Sequence, residues 1–157
     1  MRGDVKIFDF GLAKELSAKY RVTGTNVYKL TKRCGSPRYM ASEVFRGLPY
    51  NHNVDVYSFG LLLWQMCECK TPFDNFSYDR LADEVMNRHI MPTINSRWSS
   101  VLKQIISSSW HRDLSKRPEC SDICSLLKEE IVGLCGEQIL QELDLTSRTD
   151  HSLNAKK

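Results

Sequence analysis

The chain has 157 residues, 41% hydrophobic and 26% charged, enough for one domain with a real core and ordinary for a globular protein. Its 22 Lys and Arg against 19 Asp and Glu give a net charge of +3, too balanced to imply a nucleic-acid surface without a clustered basic stripe, and no stripe is evident. Met1-Arg2-Gly3-Asp4 puts an acid before any apolar run, which excludes a secretory leader at this position, and the most apolar stretch, Phe59 to Cys67, is about half the ~20 residues of a membrane span. A cytoplasmic or nuclear protein without a membrane span is predicted. Six cysteines (Cys34, Cys67, Cys69, Cys120, Cys124, Cys135) fit no zinc spacing and are predicted to be reduced thiols.

In chain order, Val5 and Ile7 alternate with Lys6 and Phe8, which predicts a short strand stopping at Asp9-Phe10-Gly11. Leu12 to Tyr39 is polar and without sustained period, which predicts a loop long enough to be functional. Asn53 or Asp55 can cap a helix through Val56, Phe59, Leu62, Leu63, Trp64, Met66 and Cys67, apolar on nearly every side and therefore central. Leu81, Val85 and Met86 predict a short amphipathic helix ended before Pro92, and Val101, Leu102, Ile105 and Ile106 another running into Trp110. Pro118 opens a last helix through Ile123, Leu126, Leu127, Ile131 and Leu134, with Gly133 and Gly136 at its end. Residues 136–157 are predicted as a tail, partly helical and then disordered. The order of one strand, a long loop and then helices excludes a sandwich, a barrel or a parallel α/β sheet and predicts a mainly α half-domain over residues 1–135.

Four motifs stand in fixed order: Val5 to Ala13 around Asp9-Phe10-Gly11, then Gly35-Ser36-Pro37-Arg38-Tyr39-Met40-Ala41-Ser42-Glu43, then Asp55-Val56-Tyr57-Ser58-Phe59-Gly60, then Lys116-Arg117-Pro118. In this order they resemble the C-terminal lobe of a protein kinase, over about Val5 to Leu134. The resemblance implies a mainly α C-lobe fold in which the DFG strand leads into a long activation loop and then helices, with the N-lobe absent. Tyr39-Met40 and the run from Asp55 to Gly60 look closest to the tyrosine-kinase-like group of serine/threonine kinases.

Residue by residue, the resemblance makes Asp9 the carboxylate that holds Mg²⁺ on the phosphates of ATP, where Asp-Phe-Gly alone would favour a loop aspartate capping a turn. Phe10 matches the phenylalanine whose packing sets active against inactive states. Glu43 closes the activation segment and is expected to pair with buried Arg117, while Ser42 stands where the family has proline and removes its fixed φ. Asp55 matches the aspartate that hydrogen-bonds the catalytic-loop backbone, and helix capping is the competing role. Ser36, Pro37, Arg38 and Tyr39 resemble the loop that receives the substrate hydroxyl. Ser17, Thr23, Thr25, Tyr28, Thr31 and Ser36 are candidate phosphorylation sites, with Thr31 preferred because Lys29, Lys32 and Arg33 are near it.

His111-Arg112-Asp113-Leu114 spells the start of a catalytic loop, but it follows Asp-Phe-Gly instead of preceding it and has Pro118 where the magnesium-binding asparagine belongs. Asp113 is therefore rejected as a base. The sequence contains no Gly-rich phosphate loop, no strand lysine in a Val-Ala-Ile-Lys setting and no catalytic base, so the chain alone is expected to transfer no phosphate. Two functions remain: part of a kinase that phosphorylates protein Ser/Thr from ATP and Mg²⁺, or a pseudokinase-like lobe that binds or regulates partner proteins.

Overall fold

Regular structure begins where the long polar stretch ends. The computed structural model describes residues 6–136, and its helices are α1 (Ser42–Arg46), α2 (Asn53–Glu68), α3 (Tyr78–Arg80, continued by π-helical turns over Leu81–Asn87), α4 (Ser100–Ser109) and α5 (Cys120–Cys135). Short 3₁₀ turns occupy Phe10–Leu12, Ala18–Tyr20, Pro37–Tyr39 and Leu114–Lys116. The chain is mainly α.

Among the described residues, Lys6–Phe8 form no part of the short strand expected before Asp9. Lys6, Ile7 and Phe8 are exposed, and among the described residues extended pairing is confined to isolated bridges of Arg21 with Tyr28 and Tyr28 with Tyr50. Alternation gives a segment two faces, but a strand needs a neighbour for its N–H and C=O groups, and no described segment offers one. Val5 lies outside the described residues, as does the expected tail beyond Gly136.

α2 is the central element. Its capping differs from the expectation: Asn53 is the first helical residue, and the Asn51 side-chain oxygen accepts from its N–H at 3.0 Å. Asp55 therefore sits inside the first turn and caps nothing. Val56, Tyr57, Leu61, Leu63 and Trp64 are buried, each worth about 1.5–3 kcal/mol or somewhat more for the aromatics. The helix is not buried all round, however. Leu62 and Met66, one turn apart, are 46% and 56% exposed, a stripe against which no described element packs.

α4 crosses α2 at Gly60, where an added Cβ would lie 2.6 Å from the Ser109 Cβ. Glycine is what allows this approach, and it seats Ile105 and Ile106 fully inside the core. Ser99 caps α4 by accepting from the Leu102 N–H at 3.1 Å. In α5 the Asp122 carboxylate reaches back to the Glu119 N–H at 3.3 Å, half of a capping box, so the helix starts after Pro118 rather than on it. Gly133 lies within α5, and Gly136 alone caps its end, at φ 82°.

Candidate functional site

The site is organised by one buried ion pair. Glu43 enters from α1 and Arg117 from the loop before α5, 74 residues later, and their side chains are 7% and 0% exposed. The guanidinium donates from Nη1 to Glu43 Oε1 at 2.6 Å and from Nη2 to Oε2 at 3.1 Å, a two-point fork. Two further donors are used, for four of its five N–H groups: Nε bonds the His111 carbonyl at 2.9 Å and Nη1 also reaches the Asn53 carbonyl at 3.0 Å. Taking two charges out of water is costly, and these four bonds to the guanidinium are what make the pair tolerable. The Arg117 guanidinium carbon also lies 5.1 Å from the Tyr57 ring centre, and burial pushes the Tyr57 phenol well above its usual range, with Arg117 opposing the rise. Asn53 completes the joint by donating from Nδ2 to the Leu114 carbonyl at 3.0 Å.

This joint fixes the end of the segment that the resemblance assigns to the substrate. Pro37–Tyr39 forms a 3₁₀ turn started by Ser36, which is exposed. Arg38 donates to the carbonyls of Pro72 and Phe73, while the Tyr39 hydroxyl bonds Gln65 and its carbonyl accepts from Ser58 Oγ at 2.8 Å. The turn is thus tied to α2 and to the loop after it. Ser42 proves to be the first residue of α1, a position that suits proline and costs serine little, and its hydroxyl lies 3.5 Å from Glu43 Oε2. The anchor next to it, Glu43 on Arg117, is intact.

Beside this turn lies an open cleft of about 370 Å³, lined among others by Leu12, Leu16, Met40, Tyr50, Asp55 and Ser58. Asp55 faces it with no hydrogen-bond partner among the described residues; the cleft walls strip water from its carboxyl and raise its pKa, with His52 opposing, although solvent still reaches the side chain. Asp9 and Ser36 do not line the cleft. Asp9 is exposed in the left-handed region at φ 61°, and its Oδ1 accepts from the Gly11 N–H at 3.3 Å. Phe10 is 70% exposed. Among the described residues no three His, Cys, Asp or Glu side chains cluster to hold a metal. One carboxylate does not make a Mg²⁺ site, so these residues fit a single ligand and not a complete coordination sphere.

The phosphorylation candidates fare differently. Thr25 is already used, its hydroxyl donating to the Val22 carbonyl at 2.8 Å and accepting from the Val27 N–H at 3.3 Å. Thr31 is exposed with its carbonyl held by the Tyr50 hydroxyl at 2.7 Å, whereas Arg33 points at Phe45, donating to its carbonyl at 3.3 Å. Asp113 serves a local turn: it accepts from the Ser115 N–H at 3.0 Å and hydroxyl at 2.8 Å, bonds that hold its carboxyl below the usual range. Residues that sequence reasoning missed are Arg38's carbonyl partners, Ser58, Gln65 and Tyr50. Tyr50 pairs backbone to backbone with Tyr28 at 2.8 and 3.0 Å, and only its place after Pro49 hinted at an extended residue.

The protein kinase domain family matches residues 1–127 of the chain. A probable serine/threonine-protein kinase of Dictyostelium discoideum is 36% identical over 126 residues, covering 80% of this chain and 13% of its own length. The serine/threonine-protein kinase VIK of Arabidopsis thaliana is 36% identical over 126 residues, 80% of this chain and 28% of that protein. The dual specificity protein kinase shkB of Dictyostelium discoideum is 34% identical over 121 residues, 76% and 18% respectively. The chain belongs to the protein kinase domain family. It spans between 13% and 28% of the length of these relatives.

Proposed function

We propose that this chain is the substrate-side lobe of a kinase domain that transfers the γ-phosphate of ATP to serine or threonine hydroxyls of proteins. The observation that carries the reading is the buried Glu43–Arg117 fork, which locks the segment after Ser36–Tyr39 to the start of α2. A protein hydroxyl would be presented on the exposed face of that turn, and Arg38 and Tyr39 would hold the turn still while it is engaged. Asp9 would give one oxygen to Mg²⁺ and would need the nucleotide phosphates for the remaining ligands. Mg²⁺ bound with ATP neutralises charge on the phosphates. Asp55, unpartnered in its cleft, would accept from backbone N–H groups of a catalytic loop.

The base that takes the hydroxyl proton and the lysine that positions the phosphates are not among these 157 residues, so the chain alone should be inactive. The names of two of these relatives favour serine/threonine specificity, the third being a dual specificity kinase; Tyr39-Met40 and the run from Asp55 to Gly60 favour the tyrosine-kinase-like group, and the reading places the protein in the cytoplasm or nucleus. The test is phosphotransfer from labelled ATP to serine and threonine peptides by the polypeptide its transcript encodes, with Asp9→Asn alongside. Transfer abolished by Asp9→Asn supports the reading. No transfer by a folded polypeptide favours the second reading, a partner-binding lobe, for which the exposed Leu62 and Met66 stripe speaks.

A further inference from the structure

Whole-chain charge balance hides an asymmetry. Between Leu12 and Ala41 lie seven Lys and Arg (Lys14, Lys19, Arg21, Lys29, Lys32, Arg33, Arg38) against the single acid Glu15, so the remainder of the chain carries 15 basic against 18 acidic residues. The near-neutral total therefore conceals a strongly basic segment, contrary to the expectation of no clustered stripe. None of these seven has a carboxylate within ion-pair distance among the described residues, whereas Arg80, Arg88 and Arg117 elsewhere do.

Part of the segment is built into a shape. Residues 20–29 form a small hairpin: the Val22 N–H bonds the Val27 carbonyl at 2.9 Å and the Lys29 N–H the Tyr20 carbonyl at 2.8 Å, with Gly24 at φ 75° in the turn. Tyr28 stitches it to Tyr50 through two backbone bonds. Arg21 Nε donates to the Thr25 carbonyl at 2.7 Å, which fixes the guanidinium and leaves its outer nitrogens open. At the base of the hairpin is a depression of about 400 Å³ lined by Lys19, Tyr20, Arg21, Val22, Thr23 and Lys29. Three cations and two hydroxyl-bearing residues, Tyr20 and Thr23, thus line one hollow whose ends are pinned, so an anion entering it meets charge already in place.

We infer that this hairpin hollow is a docking site for the acidic stretch of a protein, so that the hydroxyl offered at Ser36–Tyr39 is drawn from an Asp/Glu-rich context. The inference deepens the kinase reading and rests on it only for calling that protein a substrate. A protein segment fits better than a nucleic acid, because the Lys19 ammonium already covers the Tyr20 ring at 4.7 Å, removing a face on which a base could stack. The hollow and the Ser36 turn belong to one segment of the chain, between Lys19 and Tyr39.

The experiment is fluorescence anisotropy with the 157-residue chain and three labelled peptides, each with one serine flanked by Asp/Glu, by Ala/Gly or by Lys. The acidic peptide should bind at least about tenfold tighter than the neutral one and weaken as salt is raised. Charge reversal at exposed Lys19, Arg21 and Lys29 (each →Glu) should remove about tenfold of that affinity, as should Lys29→Glu in part if the triple variant does not fold. Reversal of three exposed cations elsewhere, Arg97→Glu, Lys116→Glu and Lys128→Glu, should leave binding nearly unchanged. Equal loss from both triples would mean net charge alone acts, and the inference falls. It falls equally if acidic and neutral peptides bind alike, or if a single-stranded oligonucleotide or a phosphatidylserine vesicle outcompetes the acidic peptide. The readout needs no nucleotide: failed phosphotransfer by the transcript-encoded polypeptide, with acidic-peptide binding to the 157-residue chain intact, counts against the kinase reading and leaves the docking site.

Discussion

Removing one member of the Glu43–Arg117 pair should be among the most damaging single changes available in this chain. In Glu43→Ala the Arg117 side chain, 0% exposed, keeps only the His111 and Asn53 carbonyls and loses both charge-assisted bonds. A buried charge left without its partner costs about 3–5 kcal/mol, against total stabilities of roughly 5–15 kcal/mol for single domains. With a urea slope of about 2 kcal/mol per molar, the unfolding midpoint should fall by roughly 2 M. Unfolding can be followed by the fluorescence of Trp64, Trp98 and Trp110, all near the core. Arg117→Lys should lose a comparable share, since one ammonium cannot reproduce the fork to Glu43 while also bonding two carbonyls. The double change Glu43→Leu with Arg117→Met should cost clearly less than the sum of the single ones, because neither charge is then stranded. A loss under ~1 kcal/mol for Glu43→Ala, or strict additivity of the pair, would refute this reasoning.

Gly60→Ala should destabilise by about 1–3 kcal/mol despite alanine's better helix propensity, because the new methyl meets the Ser109 Cβ at 2.6 Å; Ser109→Gly in the same chain should restore much of the loss, and a higher melting temperature for Gly60→Ala alone would count against the packing account. Ser42→Pro should stabilise by about 0.4–1 kcal/mol, since Ser42 is the first helical residue and Ala41 before it is extended at φ −69°, ψ 147°; a drop in melting temperature would show that the site is not pre-shaped for proline. His89 has its pKa lowered by burial first and then by Arg112 and Arg117, so the unfolded chain takes up that proton first on acidification. Stability contributed by neutral His89 is therefore present above the ordinary imidazole pKa of about 6.5 and is lost progressively as pH falls from there through the lower folded value. In His89→Asn, a residue that tolerates the local φ of 59°, the fall in melting temperature between about pH 7.5 and pH 5 should be shallower, and parallel curves for the two proteins would remove His89 from the account.

Much of the helical half was legible in the residues. The i, i+3, i+4 rows of α4 and α5 follow from apolar spacing, and the Glu43–Arg117 partnership was available from motif resemblance alone. Burial of α2 was overread because its composition says that Leu62 and Met66 are apolar but not that something covers them. The expected strand was overread over Lys6–Phe8 for a related reason: alternation describes one segment, while a strand is a relation between two. Within the polar stretch only a loop was foreseen, and pairing of Tyr28 with Tyr50 joins residues 22 apart through backbone groups and leaves no mark on side-chain type. Arg38 could be named as a loop residue, yet its partners are carbonyls, which every residue carries. Cap assignment at α2 failed by two residues because Asn51, Asn53 and Asp55 are all competent caps and only the path of the chain chooses among them.

The central claim is that this lobe presents a substrate and offers one metal-binding carboxylate, but does not hold a nucleotide by itself. Calorimetric titration of Mg·ATP into the purified 157-residue chain, with Asp9→Ala as control, tests it most directly. The account predicts no measurable heat of binding for either protein. Saturable binding that disappears in Asp9→Ala would contradict it, since Asp9 and its neighbours would then suffice to capture the nucleotide without the phosphate loop and lysine.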